Sequence, residues 1–229
     1  MLYRLKFSRG EQVRFVSHLD AMKNWERALR RAKLPIAFSE GFNPHPKMSF
    51  GSAVGVGVTS DAEYMDLELR EKRDPQAIQE SINRVLPEGL KVLEVKELKG
   101  KVPSLMSVLN RADFMVHLPI DFALTTEKLN GTIRGLLAQE QLFVEREGKK
   151  GKRQLDVRPG LYEMSGDVIP GAILLRMTLQ FGSVGNIRPE EIVQVLNAQL
   201  PGEARVQEMR VHRQGLYIAE GDKLSTPMD

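Results

Sequence analysis

His18, His45 and Lys47 are the residues of this chain whose types suit acid–base chemistry. His18 follows Ser17 at the start of a predicted helix. The helix dipole there favours the neutral imidazole, the form that accepts a proton. His45 stands between Pro44 and Pro46, which restrict the backbone and present its ring at low entropic cost. Were the two imidazoles to meet beside Lys47, one could take a 2′-hydroxyl proton and the other serve the leaving group. That arrangement would be a metal-independent endoribonuclease. The spacing leaves open whether they meet. His18 equally suits a cap-region histidine packed on a sheet, and His45 an exposed ring on a loop pinned by Phe42 and Phe50. His117 and His212 fall in predicted strands and read as structural. The chain has no cysteine, which excludes disulfides, iron–sulfur ligation and Cys-based zinc sites. No metal-ligand spacing, nucleophile elbow or P-loop occurs, so neither a metal nor a cofactor is expected.

The second chemistry is phosphate binding. Ser17 and Asp20 form a capping signature ahead of an apolar stripe, Leu19, Met22, Trp25, Leu29 and Ala32. Lys23, Arg27, Arg30 and Arg31 fall on the opposite side, and Pro35 marks the end of the helix. A basic face of this kind is often only solvated. The charge distribution argues for more. Residues 1–58 hold ten Lys/Arg against four Asp/Glu, whereas residues 59–98 hold six against ten. Segregated positive charge is the footprint of a phosphate-backbone partner. The loop that follows, Phe38–Gly51, adds Asn43 and Lys47 for phosphate and Phe42 and His45 for stacking on bases. Its length favours a functional loop. A further basic run supplies Lys149, Lys150, Lys152 and Arg153, with Arg158 just beyond. At a hairpin tip it would wrap a backbone, and each neutralised phosphate would steepen the salt dependence. Gly182 and Gly185 lie ahead of another helix, where backbone amides could hold an anion.

The elements that must position these residues read as a duplication. In the first half, Leu2–Phe7 alternates as a strand, then come the basic helix, a glycine-containing β run at 49–58 and a strand at Tyr64–Leu69. A helix opened by Asp74 and Pro75 and a strand at Lys91–Leu98 complete a β-α-β-β-α-β order, the ferredoxin-like pattern. The second half repeats at a fixed offset: Pro75/Pro189, Ile78/Ile192, Asn83/Asn197, Leu86/Leu200 and Pro87/Pro201. The match runs on through Lys91/Arg205 and Val92/Val206 into an expected strand. The fold class expected is α+β, two tandem ferredoxin-like domains. The expected limits are 1–98, a linker at 99–109, 110–218, and a mobile tail at 219–229.

At 229 residues with 41% hydrophobic and 28% charged content, the chain can bury real cores. Met1–Phe7 alternates and lacks a signal-peptide core, and no window holds the roughly 18 apolar residues of a spanning helix. A cytoplasmic protein without membrane contact is expected.

The run F-V-S-H-L-D…E-R-A-L-R-R-A…L-P-I-A-F-S-E-G-F-N-P-H-P-K-M-S-F-G resembles the radical-SAM-linked protein family, an uncharacterised bacterial group. L-D-V-R-P at Leu155–Pro159 and G-N-I-R-P-E at Gly185–Glu190 resemble it too. That family's domain occurs alone or fused behind a radical-SAM enzyme, sometimes one with a cobalamin-binding part. The resemblance implies an accessory partner of such an enzyme. A more distant similarity is to the CRISPR repeat-processing endoribonucleases, also tandem ferredoxin-like proteins. Leu200-Pro201-Gly202-Glu203 is too short and too acidic to match their glycine-rich loop. The function expected is a non-catalytic RNA-binding accessory protein that presents tRNA or rRNA to a radical-SAM modification enzyme. The alternatives are the His18/His45 endoribonuclease and a protein–protein adaptor without RNA affinity.

Overall fold

The alternation of the first residues does produce a strand, β1 (Leu2–Arg9). The computed structural model describes residues 1–148, 151–221 and 223–229. The chain is mixed α+β, with mainly antiparallel strands and few helices. It divides into two units, Met1–Leu109 with Gly215–Asp229, and Asn110–Gln214. Those limits differ from the four segments expected.

In the first unit, β1 is followed by α1 (His18–Arg31), β2 (Met48–Phe50), β3 (Val58–Glu68), α2 (Pro75–Asn83), β4 (Leu90–Leu98) and α3 (Leu105–Val108). β1 pairs antiparallel with β3 on one side and β4 on the other, and β2 pairs with β3. The core is built from alternate strand residues and one stripe of each long helix. Tyr3, Leu5 and Phe7, Met65, Leu67 and Leu69, and Leu90 and Val92 meet Trp25 and Leu29 of α1 and Ile78 and Ile82 of α2. The expected β run at 49–58 pairs only over Met48–Phe50. Beyond it the chain passes close to α3: a Cβ on Gly51 would stand 2.8 Å from Leu109 Cδ1. It then turns at Gly57, whose φ of +89° suits glycine.

The second unit holds β5 (Arg111–Pro119), α4 (Thr126–Leu137), β6 (Phe143–Gly148), β7 (Gly151–Asp156), β8 (Leu161–Ile169), β9 (Ala172–Gln180) and α5 (Pro189–Asn197). β9 pairs with β5 and β8, and β6 pairs with β7 as a separate two-stranded sheet. The first part of β10 (Arg210–Glu220) belongs to this unit and stands beside β5 in the strand order. Leu129, Ile133 and Leu136 of α4 and Ile192, Val193 and Leu196 of α5 are buried. α2 and α5 both start on proline and span nine residues, as the offset between the halves requires. The offset then fails. Val206–Glu208 forms a 3-10 turn, and the strand begins only at Arg210.

The segment expected to be a mobile tail is ordered in the first unit. β10 runs to Glu220, and β11 (Lys223–Ser225) pairs with it. Pro227 and Met228 are buried. Arg4 Nη1 donates to the Pro227 carbonyl at 3.2 Å, and Lys96 Nζ donates to the carbonyls of Met228 and, at 3.0 Å, Asp229. Cations on β1 and β4 thus hold a segment that has no periodicity of its own. The expected linker, 99–109, contributes buried Leu105 and Leu109 to the same unit.

Candidate nucleic-acid interface

The cationic helix starts where the capping signature puts it. Ser17 Oγ accepts from the Asp20 amide at 3.2 Å and donates to the Asp20 carboxylate at 2.7 Å. The helix stops at Arg31, with Ala32 as its C-cap and Lys33 at φ +54° in the left-handed region, before Pro35 can end it. Trp25, Ala28 and Leu29 are buried, which turns the other side outward. Leu19, expected in the buried stripe, is 69% exposed. It precedes the part of α1 that reaches the core.

Lys23, Arg27, Arg30 and Arg31 are all exposed, but they are not equivalent. Lys23 lies 3.7 Å from Asp20. Arg27, Arg30 and Arg31 make no side-chain hydrogen bond or ion pair with the described residues, and they line an open groove with Asn24 and Pro87. These three guanidinium groups therefore keep their full donor sets for a ligand.

The loop after α1 is closed at its base. Phe38 and Pro46 form an isolated bridge, the Ser39 amide donates to the His45 carbonyl at 2.8 Å, and Ser39 Oγ accepts from the His45 amide at 3.0 Å. Phe42 stands at the tip with its ring fully in solvent, and Asn43 and His45 are exposed. Lys47 lies 3.4 Å from Glu68, an exposed pair of modest strength.

His18 and His45 sit in different surroundings. His18 is half-buried, its ring edge-on to Phe50 with centroids 5.6 Å apart. Burial lowers its pKa, the Arg9 guanidinium lowers it further, and the Glu63 carboxylate opposes both. Arg9 and Glu63 are themselves buried, a feature with no signature in the local sequence. Arg9 Nη2 donates to the carbonyls of Arg14 at 3.0 Å and Val16 at 2.5 Å, fixing the entry to α1. No hydrogen bond or ring contact joins His18 to His45 among the described residues. His117 and His212 lie in β5 and β10.

In the second basic run, Lys149 and Lys150 lie outside the described residues. Lys152 is exposed and bonds Glu145 across the hairpin at 2.8 Å, which raises its pKa. Arg153 is exposed opposite Arg146. Arg158 departs from the expected phosphate role. Its guanidinium donates to the carbonyls of Leu137, Gln139 and Leu161 at 2.7–3.2 Å and so satisfies the end of α4. Arg146 docks the hairpin onto α5. Its Nε and Nη2 donate to the Glu191 carboxylate at 2.5 and 2.6 Å, and Nη2 donates to the Asn186 carbonyl at 2.8 Å. Glu191 also accepts from the Arg188 amide at 2.9 Å, closing a capping box. Nothing in the local sequence distinguishes Arg146 and Arg158 from the other cations nearby.

Among the described residues no three His, Asp or Glu side chains gather as a metal site. No helix there is long and apolar enough to cross a membrane.

One solved structure shares the fold at low identity, and two others match it more loosely. A chain of a crystallised Cbf5–Nop10–Gar1 complex matches with a TM-score of 0.53 at 11% identity, over 93% of this chain and 47% of its own length. A chain of an H/ACA RNP bound to a substrate RNA containing 2′-deoxyuridine gives 0.49 at 10% identity, over 93% and 46%. An unknown protein from Galdieria sulphuraria gives 0.26 at 14%, over 93% and 96%. The chain spans about half the length of the first two. No curated protein matches it by sequence. Residues 2–189 match a family described as uncharacterised proteins conserved in bacteria, and the chain belongs to that family, DUF2344.

Proposed function

We propose that this chain is a non-catalytic RNA-binding protein that presents tRNA or rRNA to a radical-SAM modification enzyme in the cytoplasm. The observation that carries the reading is the exposed row Arg27, Arg30 and Arg31, cations on one groove of α1 with no carboxylate partner among the described residues. Among the other candidate cations, Lys23, Lys47 and Lys152 each have an acidic neighbour. A protein with only solubility to gain would disperse or pair its charge. Lys23 and Lys47 extend the surface of the first unit, where Phe42, Asn43 and His45 supply groups for bases, and the second unit offers Lys152 and Arg153 on its own hairpin. The enzyme partner rests on the motif at Phe15–Gly51.

We read the two units as two ferredoxin-like βαββαβ domains. Support comes from the strand orders β4–β1–β3–β2 and β10–β5–β9–β8, which follow one plan, and from the matched helices α2 and α5. Helices on one sheet face leave the other for contacts, as in this fold class generally.

The test is the triple Arg27, Arg30 and Arg31→Ala variant, assayed for binding to structured RNA with the RNA recovered on a gel. The expected result is weakened binding across all sequences, with intact RNA before and after. Wild-type affinity in the variant, or discrete cleavage lost in a His45→Ala variant, would refute it.

A further inference from the structure

The Phe42 loop presents an arrangement that α1 does not. Phe42 is fully exposed, so covering its ring with a ligand would remove a large apolar face from water. The loop is also preorganised. The Phe38–Pro46 bridge and the two Ser39–His45 hydrogen bonds close its base, and Pro44 and Pro46 restrict the backbone between. Little ordering cost remains to be met when the tip engages a ligand.

The groups beside the ring identify the ligand. Asn43 has a side-chain amide with no partner among the described residues, offering a donor and an acceptor. The hydrogen bonds of His45 use its backbone, so its imidazole is unengaged among the described residues. A protein-docking anchor sits in an apolar surround that excludes water. Here the neighbours along the tip are Gly41, Asn43 and Pro44, all exposed. An aromatic face with hydrogen-bonding groups at its edge suits a nucleobase, which has a π-face and a polar edge.

We infer that Phe42 stacks on an unpaired nucleotide, so that the RNA bound has an extruded or bulged base beside a backbone segment held by the α1 arginines. A base within a continuous duplex is stacked on both faces and has none to offer. The inference rests on the RNA-binding reading, and the chain runs from the end of α1 through Ile36 and Phe38 directly into the loop.

The experiment uses the full chain and three synthetic RNAs: a perfect duplex, the same duplex with one bulged 2-aminopurine nucleotide, and an unstructured strand. Wild type should prefer the bulged duplex, and 2-aminopurine emission should change on binding. Phe42→Ala should lose about 5- to 150-fold in affinity for the bulged duplex, the range for one base–aromatic stack. Its affinity for the perfect duplex should hold. Phe42→Trp should restore the preference. Equal wild-type affinity for bulged and perfect duplex, or a Phe42→Ala variant that keeps the preference, overturns the inference while leaving RNA binding in place. The assignment of the backbone contact to the α1 arginines fails separately, if the triple arginine variant binds all three RNAs as wild type does. Absence of binding by wild type overturns both.

Discussion

Arg146→Ala isolates the contact that mounts the β6–β7 hairpin on α5. Arg146 and Glu191 have side chains only 16% and 9% exposed. Two short charge-assisted hydrogen bonds join them, and Arg146 makes a third to the Asn186 carbonyl. Removing the arginine leaves the Glu191 carboxylate buried with the Arg188 amide as its remaining donor. Breaking a buried pair from one side costs about 3–5 kcal/mol. At the lower end, and with about 4 °C per kcal/mol for a domain of about a hundred residues, the melting temperature should fall by about 12 °C. Hydrogen exchange should quicken in β6 and β7 before it does in β9. Glu191→Gln keeps an acceptor for the Arg188 amide without a buried charge. The double variant should therefore lose less than the sum of the two single losses. A loss under about 1 kcal/mol, as at exposed pairs, with strict additivity and unchanged hairpin exchange, would refute the reasoning.

His18 gives the stability a pH dependence. Its folded pKa lies below the usual 6.5. As pH falls through that value the unfolded chain takes up the proton first, so stability declines until the folded imidazole titrates. Urea midpoints from about pH 7.5 to 5 should show this decline, and His18→Gln should flatten it; a His18-dependent rise on acidification would contradict the assignment. Gly160→Ala would place a Cβ 2.5 Å from Ile187 Cγ1 and 2.9 Å from Gln180 Cβ. Overpacking of that kind should destabilise by about 1–3 kcal/mol, read by denaturant titration, and an unchanged midpoint would show that the Gly160 turn lies farther from Ile187.

The parts of this chain that local chemistry decides were readable before the structure. Ser17 and Asp20 announce α1, and Trp25 and Leu29 announce its buried side. Pro75 and Pro189 open two helices of equal length at a constant separation. The exposed arginines follow from the same periodicity. What long-range contacts decide was not readable. Leu19 has the right spacing for the buried stripe but lies outside the packed part of α1. Arg158 and Arg153 are alike in type and near in sequence, yet one satisfies the end of α4 and the other faces water. The last residues have no pattern, and their order comes from Arg4 and Lys96, far off in the chain. Tertiary placement also separates His18, packed under Phe50, from His45 on its loop.

The most direct test of the central claim is the salt dependence of binding to a structured RNA, for the wild type and for the triple Arg27, Arg30 and Arg31→Ala variant. Each neutralised phosphate of a duplex adds about 0.9 to the slope of log K against log salt. Three arginines would account for a difference of about 2.7. Between about 50 and 200 mM salt, the wild type should then lose about 40-fold more affinity than the variant. Parallel slopes for the two proteins, or no measurable affinity in the wild type at low salt, would contradict a phosphate-binding role for this helix.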